Sequence, residues 1–329
     1  MQPRSNARAI SSRMTTQTRI LSLLAAAAFS TPLALAGDPT IDYKAAQPVA
    51  CPPDTLDWVT VKGEYTFTND FERGHDSKGD ATHTDFEYDH RIPVNLFNSW
   101  PNVECGHWYF RLGAEYDRWD FGNSGKLPIP NTLQSASGIV ALEYVVNDGA
   151  AIMLETRPGV YFEHNARRDS IDAPTKLYFP IYHHKDANSS VTVITGVAYT
   201  NLLSYQFLPI VGIDYETGKW EVRAVVPAPR IIYQATDRVG VYVGGEVTGG
   251  GFRSDAHEDY PGKPQLSNAI VTYSEFRAGA GVTYKISRCT LDLGAGYAFD
   301  RKFDYSNADQ GFKASNGSPY ISGTLRIGF

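Results

Sequence analysis

Residues 270–286 read IVTYSEFRAGAGVTYKI, and taken alternately the two halves of this run are unlike. Ile270, Thr272, Ser274, Phe276, Ala278, Ala280, Val282, Tyr284 and Ile286 carry no charge, whereas Val271, Tyr273, Glu275, Arg277, Gly279, Gly281, Thr283 and Lys285 include every charged side chain of the run. Successive side chains of an extended chain point to opposite faces, so a period of two predicts a β-strand with one apolar and one polar side. A strand that crosses hydrocarbon must be apolar at every outward position, and charge then survives only on the inward face or in loops.

The pattern recurs toward the N-terminus. Val59, Val61, Gly63, Tyr65 and Phe67 alternate with Thr60, Lys62, Glu64, Thr66 and Thr68. Phe86, Tyr88, His90, Ile92 and Val94 oppose Asp85, Glu87, Asp89 and Arg91, and Trp108, Phe110, Leu112, Ala114 and Tyr116 oppose Tyr109, Arg111, Gly113, Glu115 and Asp117. Further strands are predicted at 137–146, 150–163, 176–184, 191–200, 205–216, 220–227, 230–235, 239–252, 290–303 and 319–329, which brings the count to 14, with 12 as the alternative. Pro158, Pro180 and Pro209 lie inside three of these although proline cannot donate to a ladder.

Connections alternate in length. Long polar ones fall at 70–82, 120–134, 164–175, 253–268 and 304–318, and tight turns at 147–149, 217–219, 236–238 and 287–288, with 97–106 as the one long exception. If the first strand rises from one rim, the long connections gather at the other and both termini return to the first. Outer-membrane barrels have this asymmetry. The fold expected is therefore all-β, a closed antiparallel up-and-down transmembrane β-barrel. A soluble β-sandwich is the competing architecture, because its inner faces also alternate.

Composition agrees. The 329 residues are 42% hydrophobic and 20% charged, with 29 Gly, 20 Tyr and 16 Phe, which excludes a disordered chain and, without Gly at every third position, collagen. A mean hydropathy of −0.30, with one apolar segment near the N-terminus, excludes a bundle of membrane helices. That segment reads as an export signal over 1–36: Arg4, Arg8, Arg13 and Arg19 without an acidic residue, an apolar stretch over 20–29, and Ala34-Leu35-Ala36 before Gly37. Residues 37–57 are a Pro-rich, aperiodic periplasmic lead-in, and 58–329 the barrel. Formal net charge is −6 for the whole chain and more negative without those arginines, so neither nucleic acid nor anionic lipid headgroups are expected to bind.

Cys51, Cys105 and Cys289 are too few for a disulfide scaffold and lack zinc spacing. Cys51 and Cys105 fall on the same predicted periplasmic side and are the candidate disulfide, with Cys289 left over. The last strand ends on an aromatic residue, Phe329, which looks like the signal read by barrel-assembly machinery.

Over the last third, at Leu208-Pro209-Ile210-Val211-Gly212, Pro227-Ala228-Pro229-Arg230, Gly244-Gly245-Glu246 with Gly249-Gly250-Gly251, Tyr273-Ser274-Glu275-Phe276-Arg277 and Ala295-Gly296-Tyr297-Ala298-Phe299, the chain resembles a family of bacterial outer-membrane barrel proteins known only as a domain of unknown function. The resemblance implies location in a Gram-negative outer membrane and the barrel fold. It carries no catalytic or ligand residues.

Inward positions hold charges of both signs: Glu87, Asp89, Arg91, Arg111, Glu115, Glu155, Arg157, Glu221, Arg223, Glu246, Glu275, Arg277 and Arg326. They either solvate the lumen and pair across strands, at roughly 0.2–1 kcal/mol for each exposed pair, or form a selectivity zone for a charged solute. Mixed signs favour the first. The constriction candidates are Arg111, Glu115, Arg223, Arg230, Glu246, Glu275 and Arg277, grouped as Glu275 with Arg277 and Glu246 with Arg223. His75, His83, His164 and His257 lie in or beside expected outer loops and His183-His184 precedes a turn, without H-x-x-x-H spacing, so neither metal nor cofactor is expected. Gly249-Gly250-Gly251 is not a phosphate loop, since no Lys-Ser/Thr follows.

The function expected is non-enzymatic: a porin-like channel for a small polar solute, with outer-membrane lipid and the barrel-assembly machinery as partners and both termini periplasmic. The alternatives are a plugged structural or surface-recognition barrel and a barrel-rim hydrolase built on a pair such as Asp255 and His257.

Overall fold

The computed structural model describes residues 56–71, 78–94, 107–122, 127–146, 150–186, 189–203, 205–256, 266–306, 308 and 310–329. The expected signal segment, most of the lead-in and the Cys51–Cys105 pair lie outside them. The strands are β1 (Leu56–Asp70), β2 (Lys78–Val94), β3 (His107–Phe121), β4 (Thr132–Val146), β5 (Ala150–Thr156), β6 (Gly159–Phe162), β7 (Ile171–Asp172), β8 (Thr175–Asp186), β9 (Ser189–Tyr199), β10 (Phe207–Thr217), β11 (Trp220–Val225), β12 (Arg230–Gln234), β13 (Val239–Arg253), β14 (Ile270–Ile286), β15 (Cys289–Tyr305), β16 (Gln310–Lys313) and β17 (Ser318–Gly328).

Neighbouring strands of the wall pair antiparallel, and β17 pairs back onto β1 from Trp58↔Gly328 to Thr66↔Tyr320. The sheet is closed. β5 with β6, β7 with β8, and β16 with β17 each form one interrupted stave, so the wall is a barrel of 14 staves. Closure leaves no free sheet edge between first and last strand, which is what hydrocarbon demands of a spanning β structure.

The three prolines mark where that wall is irregular. Pro158 separates β5 from β6. The β5–β8 ladder joins Ala150↔Ile181 and Met153↔Tyr178 but skips Pro180 between them. Pro209 pairs with Val197 of β9 and lies on the part of β10 that β11 does not reach, so no donor is missed there. Several expected bounds change: the strand expected from 137 begins at Thr132, and the connections expected over 164–175 and 304–318 contain β7 and β16. Pairing of β1 with β2 continues past Thr66, through a bulge, to Asn69↔Gly79 and Asp70↔Lys78, so the connection expected over 70–82 is shorter. The strand expected over 220–227 stops at Val225.

Outward positions are apolar from stave to stave. Phe67, Phe86, Leu112, Ile152, Val197, Ile213, Val243, Val282, Leu293 and Ile321 are all exposed. In a soluble protein so many large exposed side chains on one continuous surface would drive association, whereas a membrane barrel places such a band, about 25 Å tall, against acyl chains. Trp220 packs on Tyr233 beside the short turns and Tyr199 on Phe207 toward the long connections, as aromatic girdles do.

Candidate functional site in the lumen

Inward side chains meet across the barrel, and they do so in layers. The central layer is built on Arg277 of β14. Its guanidinium contacts Glu64 Oε2 of β1 at 2.6 Å and Glu275 Oε1 at 2.6 Å. Glu275 Oε2 also accepts from Arg301 Nε of β15 at 2.9 Å and from the Tyr273 hydroxyl at 2.8 Å. Lys62 of β1 lies 3.2 Å from both Glu64 and Glu246 of β13, strands that are not neighbours in the wall, so this pair bridges the lumen. His83 of β2 links Glu64 at 2.7 Å to Asp117 of β3 at 2.6 Å, and its ring stacks on Trp119 at 3.8 Å. Glu64, Glu275 and Arg277 have side chains at most 1% exposed.

A second layer occupies the side formed by β2 to β8. Arg157, just beyond β5, reaches Glu115 Oε1 at 2.7 Å, Glu87 Oε2 at 3.1 Å and Glu155 Oε1 at 2.9 Å. Arg111 pairs with Asp89 and lies 3.6 Å from Glu155. Nearer the short turns, Arg91 donates to both carboxylate oxygens of Glu143, at 2.9 and 3.1 Å, and lies over the Tyr109 ring at 3.7 Å. An Arg fork held by two oxygens is the strongest form such a pair takes.

Above the ionic layers, on the side of the long connections, the lumen is filled by apolar and aromatic side chains. Tyr273 packs on Trp119, Phe121 and Phe303, and Phe121 on Phe303, with ring centroids 4.8–5.0 Å apart, and Leu133, Phe252, Val271, Tyr305 and Leu266 join them. Tyr305 donates to Pro128 O at 3.1 Å, tying this plug to the connection after β3. Edge-to-face and tilted contacts of this kind add to the burial of each ring.

The opposite side, toward the short turns, is looser. Arg230 lies 3.5 Å from Asp292 of β15 and over the Tyr242 ring, whose hydroxyl donates to Asp292 at 2.6 Å. Arg223 pairs with Asp214 at 3.3 Å and Glu221 at 2.5 Å. Arg223, Arg230 and Asp292 are about one-fifth exposed, so water reaches this vestibule.

The seven constriction candidates thus separate. Glu275, Arg277 and, through Lys62, Glu246 belong to the central layer, Arg111 and Glu115 to the second, and Arg223 and Arg230 to the vestibule. The expected grouping of Glu246 with Arg223 does not form: strand register turns Arg223 toward Asp214 on the neighbouring β10. His83, expected at an outer loop, is instead inside the barrel because β2 starts at Lys78. Lys62, Glu64, Asp117 and Arg301 complete the central layer and, like the plug residues, stand outside the seven candidates. Their signal is an inward phase that changes along one strand from charge to aromatic, as in Glu115, Asp117, Trp119 and Phe121.

At the rim, Glu163, His164 and Asp255 present ligand atoms within 4.8 Å of one another and are the group of described residues suited to hold a metal ion. Loop hydrogen bonds already engage both carboxylates: Asn165 donates twice to Asp255, and the Asp255 amide donates to Glu163. His257, the other half of the expected hydrolase pair, lies outside the described residues. Cys289 is a free thiol and Phe329 ends the chain beside β1, its amide donating to Asp57 O at 3.0 Å.

The fold is a closed antiparallel β-barrel of 14 staves. Similar solved structures include an outer-membrane channel from Pseudomonas putida F1, with 12% identity over 89% of this chain and 100% of that one at a TM-score of 0.44. They also include a deletion mutant of the TodX monoaromatic hydrocarbon channel, with 9% identity over 84% of this chain and 90% of that one at 0.38. A third is the translocator domain of the autotransporter NalP from Neisseria meningitidis, with 9% identity over 95% of this chain and 94% of that one at 0.33. A search of curated proteins returns no match. The model of DUF6268, a domain of unknown function, matches residues 45–320, and the chain belongs to that family.

Proposed function

We propose that this chain is a gated channel of a bacterial outer membrane, described here in its shut form, with both termini on the periplasmic side and the plugged rim facing outward. The observation that carries the reading is the vertical order of the lumen: a water-reached vestibule at Arg223, Arg230 and Asp292, then the cross-lumen layer at Lys62, Glu64, Glu246 and Arg277, then the aromatic plug. Hydrophobic constrictions gate by excluding water, and rings of charge beneath them select what enters. The cargo proposed is a small polar solute, because the vestibule walls offer both charge signs and hydroxyls. An always-open porin is a poorer fit, since its charged lumen side chains would be wetted rather than buried against one another.

The test is solute efflux from liposomes containing the full chain. The native protein is expected to hold a small sugar inside, and the double substitution Tyr273→Ala with Phe303→Ala, which removes two central rings of the plug and, from the ionic layer, only the Tyr273 hydrogen bond to Glu275, is expected to release it. Fast release by the native protein would contradict the shut form. No release from a correctly inserted double variant would contradict gating and favour the second reading, a plugged surface-recognition barrel, which the tie between Tyr305 and the β3–β4 connection supports.

A further inference from the structure

We propose that the barrel wall has a side window between β10 and β13, through which an uncharged apolar molecule dissolved in the bilayer reaches the lumen. The inference rests on the membrane-embedded reading of the outward belt but not on the gate. Its basis is strand length. β11 pairs with β10 only from Thr217 up to Gly212, and β12 pairs with β13 only from Gly240 up to Gly244. The hairpin then turns back at Val225–Ala228, where the Ala228 amide donates to Val225 O at 3.0 Å. Its last bonds to β13 are Gly245 N to Pro229 O and Val247 N to Pro227 O.

Above that apex β10 continues from Val211 to Phe207, bonded to β9 on one side and, among the described residues, to no strand on the other. β13 likewise continues beyond Val247. The top of the frame is the β9–β10 connection: a Cβ on Gly251 would lie 2.1 Å from Leu202 O, so this connection touches β13. It is held there by Asp172, which accepts from the Thr200 hydroxyl at 2.7 Å, the Asn201 amide at 3.1 Å and the Asn201 side chain at 3.0 Å. The opening therefore has a sill, two jambs and an anchored lintel.

Its chemistry selects the occupant. Residues 207–211 carry no charge, and Leu208 and Ile210 turn inward against Leu203 and Ala198. Phe207 and Val211 are 68% and 61% exposed, among the most exposed apolar side chains of the molecule, because no adjacent strand covers them. An open strand edge in hydrocarbon costs several kcal/mol per unpaired backbone group unless water or protein reaches it. At Pro209 the edge of β10 contributes no amide donor, which lowers that cost.

The experiment uses the full chain in phosphatidylethanolamine–phosphatidylglycerol vesicles containing an uncharged aryl diazirine that partitions into the bilayer, with the sites of photo-insertion mapped by mass spectrometry. Outward Val282 and Leu293 report membrane embedding on their own. If they are unlabelled, the embedded reading fails and the window with it. With them labelled, insertion is expected at inward Leu208 and Ile210 but not at inward Ile194, where the wall is complete. The substitution Ile210→Trp, which fills the frame, is expected to abolish insertion at Leu208. Labelling confined to outward residues would overturn the window, as would Leu208 labelling that Ile210→Trp leaves unchanged.

Discussion

At the residue scale the decisive group is Arg277. Two carboxylates, Glu64 and Glu275, are buried against it, and each would be left without its main counter-charge if it were removed. Truncating one partner of a buried pair typically costs about 3–5 kcal/mol, against about 1 kcal/mol or less for an exposed pair. Arg277→Ala is therefore expected to lower unfolding stability in detergent or lipid by the larger amount, measured from the urea midpoint, and a loss in the smaller range would show that water reaches the layer. Arg277→Lys should recover only part, because an ammonium does not reproduce the planar fork. Trp119 is fully buried beneath His83 and beside Tyr273, so Trp119→Ala is expected to cost about 3–5 kcal/mol, with the near-ultraviolet dichroism of the plug lost in parallel. Retained dichroism would contradict the packing. The charge of Glu275 and Arg277 was legible in the sequence as inward phase. Their partner Glu64 was not, because it sits more than 200 positions from Arg277 and meets it only through closure of the barrel, as Lys62 meets Glu246 across 184 positions.

At the scale of the element, β13 shows how local chemistry bends a wall. Gly249 has φ +128°, and a Cβ there would lie 2.2 Å from the Tyr273 carbonyl oxygen of β14, a backbone atom that cannot step aside. Gly249→Ala is expected to reduce the yield of folded, heat-modifiable protein sharply, because both the dihedral and the contact oppose it. Gly63→Ala on β1, with nothing within 4 Å of the added carbon, is expected to stay within about 0.5 kcal/mol of the native protein. Equal folding of the two would contradict the geometry assigned to β13. The strands themselves were legible as period-two runs, since one face meets hydrocarbon along its whole length. Their interruptions were legible only as prolines whose meaning depends on the neighbour: Pro158 is a break, Pro180 a skipped rung and Pro209 an edge. No single-strand pattern separates these three cases.

At the scale of the whole molecule, closure sets what the lumen can do. The 14 staves place ionic side chains from opposite walls within reach of one another, and they pair rather than line an open bore. A sequence pattern gives the sign and phase of each inward residue but not the bore that separates them, so it left an open and a filled lumen equally readable. The aromatic residues at the long-connection ends of β3, β14 and β15 decide for filling, because their inward phase converges on one cluster. The most direct test of this account is the conductance of the refolded native chain in a planar bilayer, with insertion verified separately by protease protection. A silent membrane that begins to conduct ions when Tyr273 and Phe303 are both replaced by alanine is the predicted result; steady ohmic current from the native protein would contradict it.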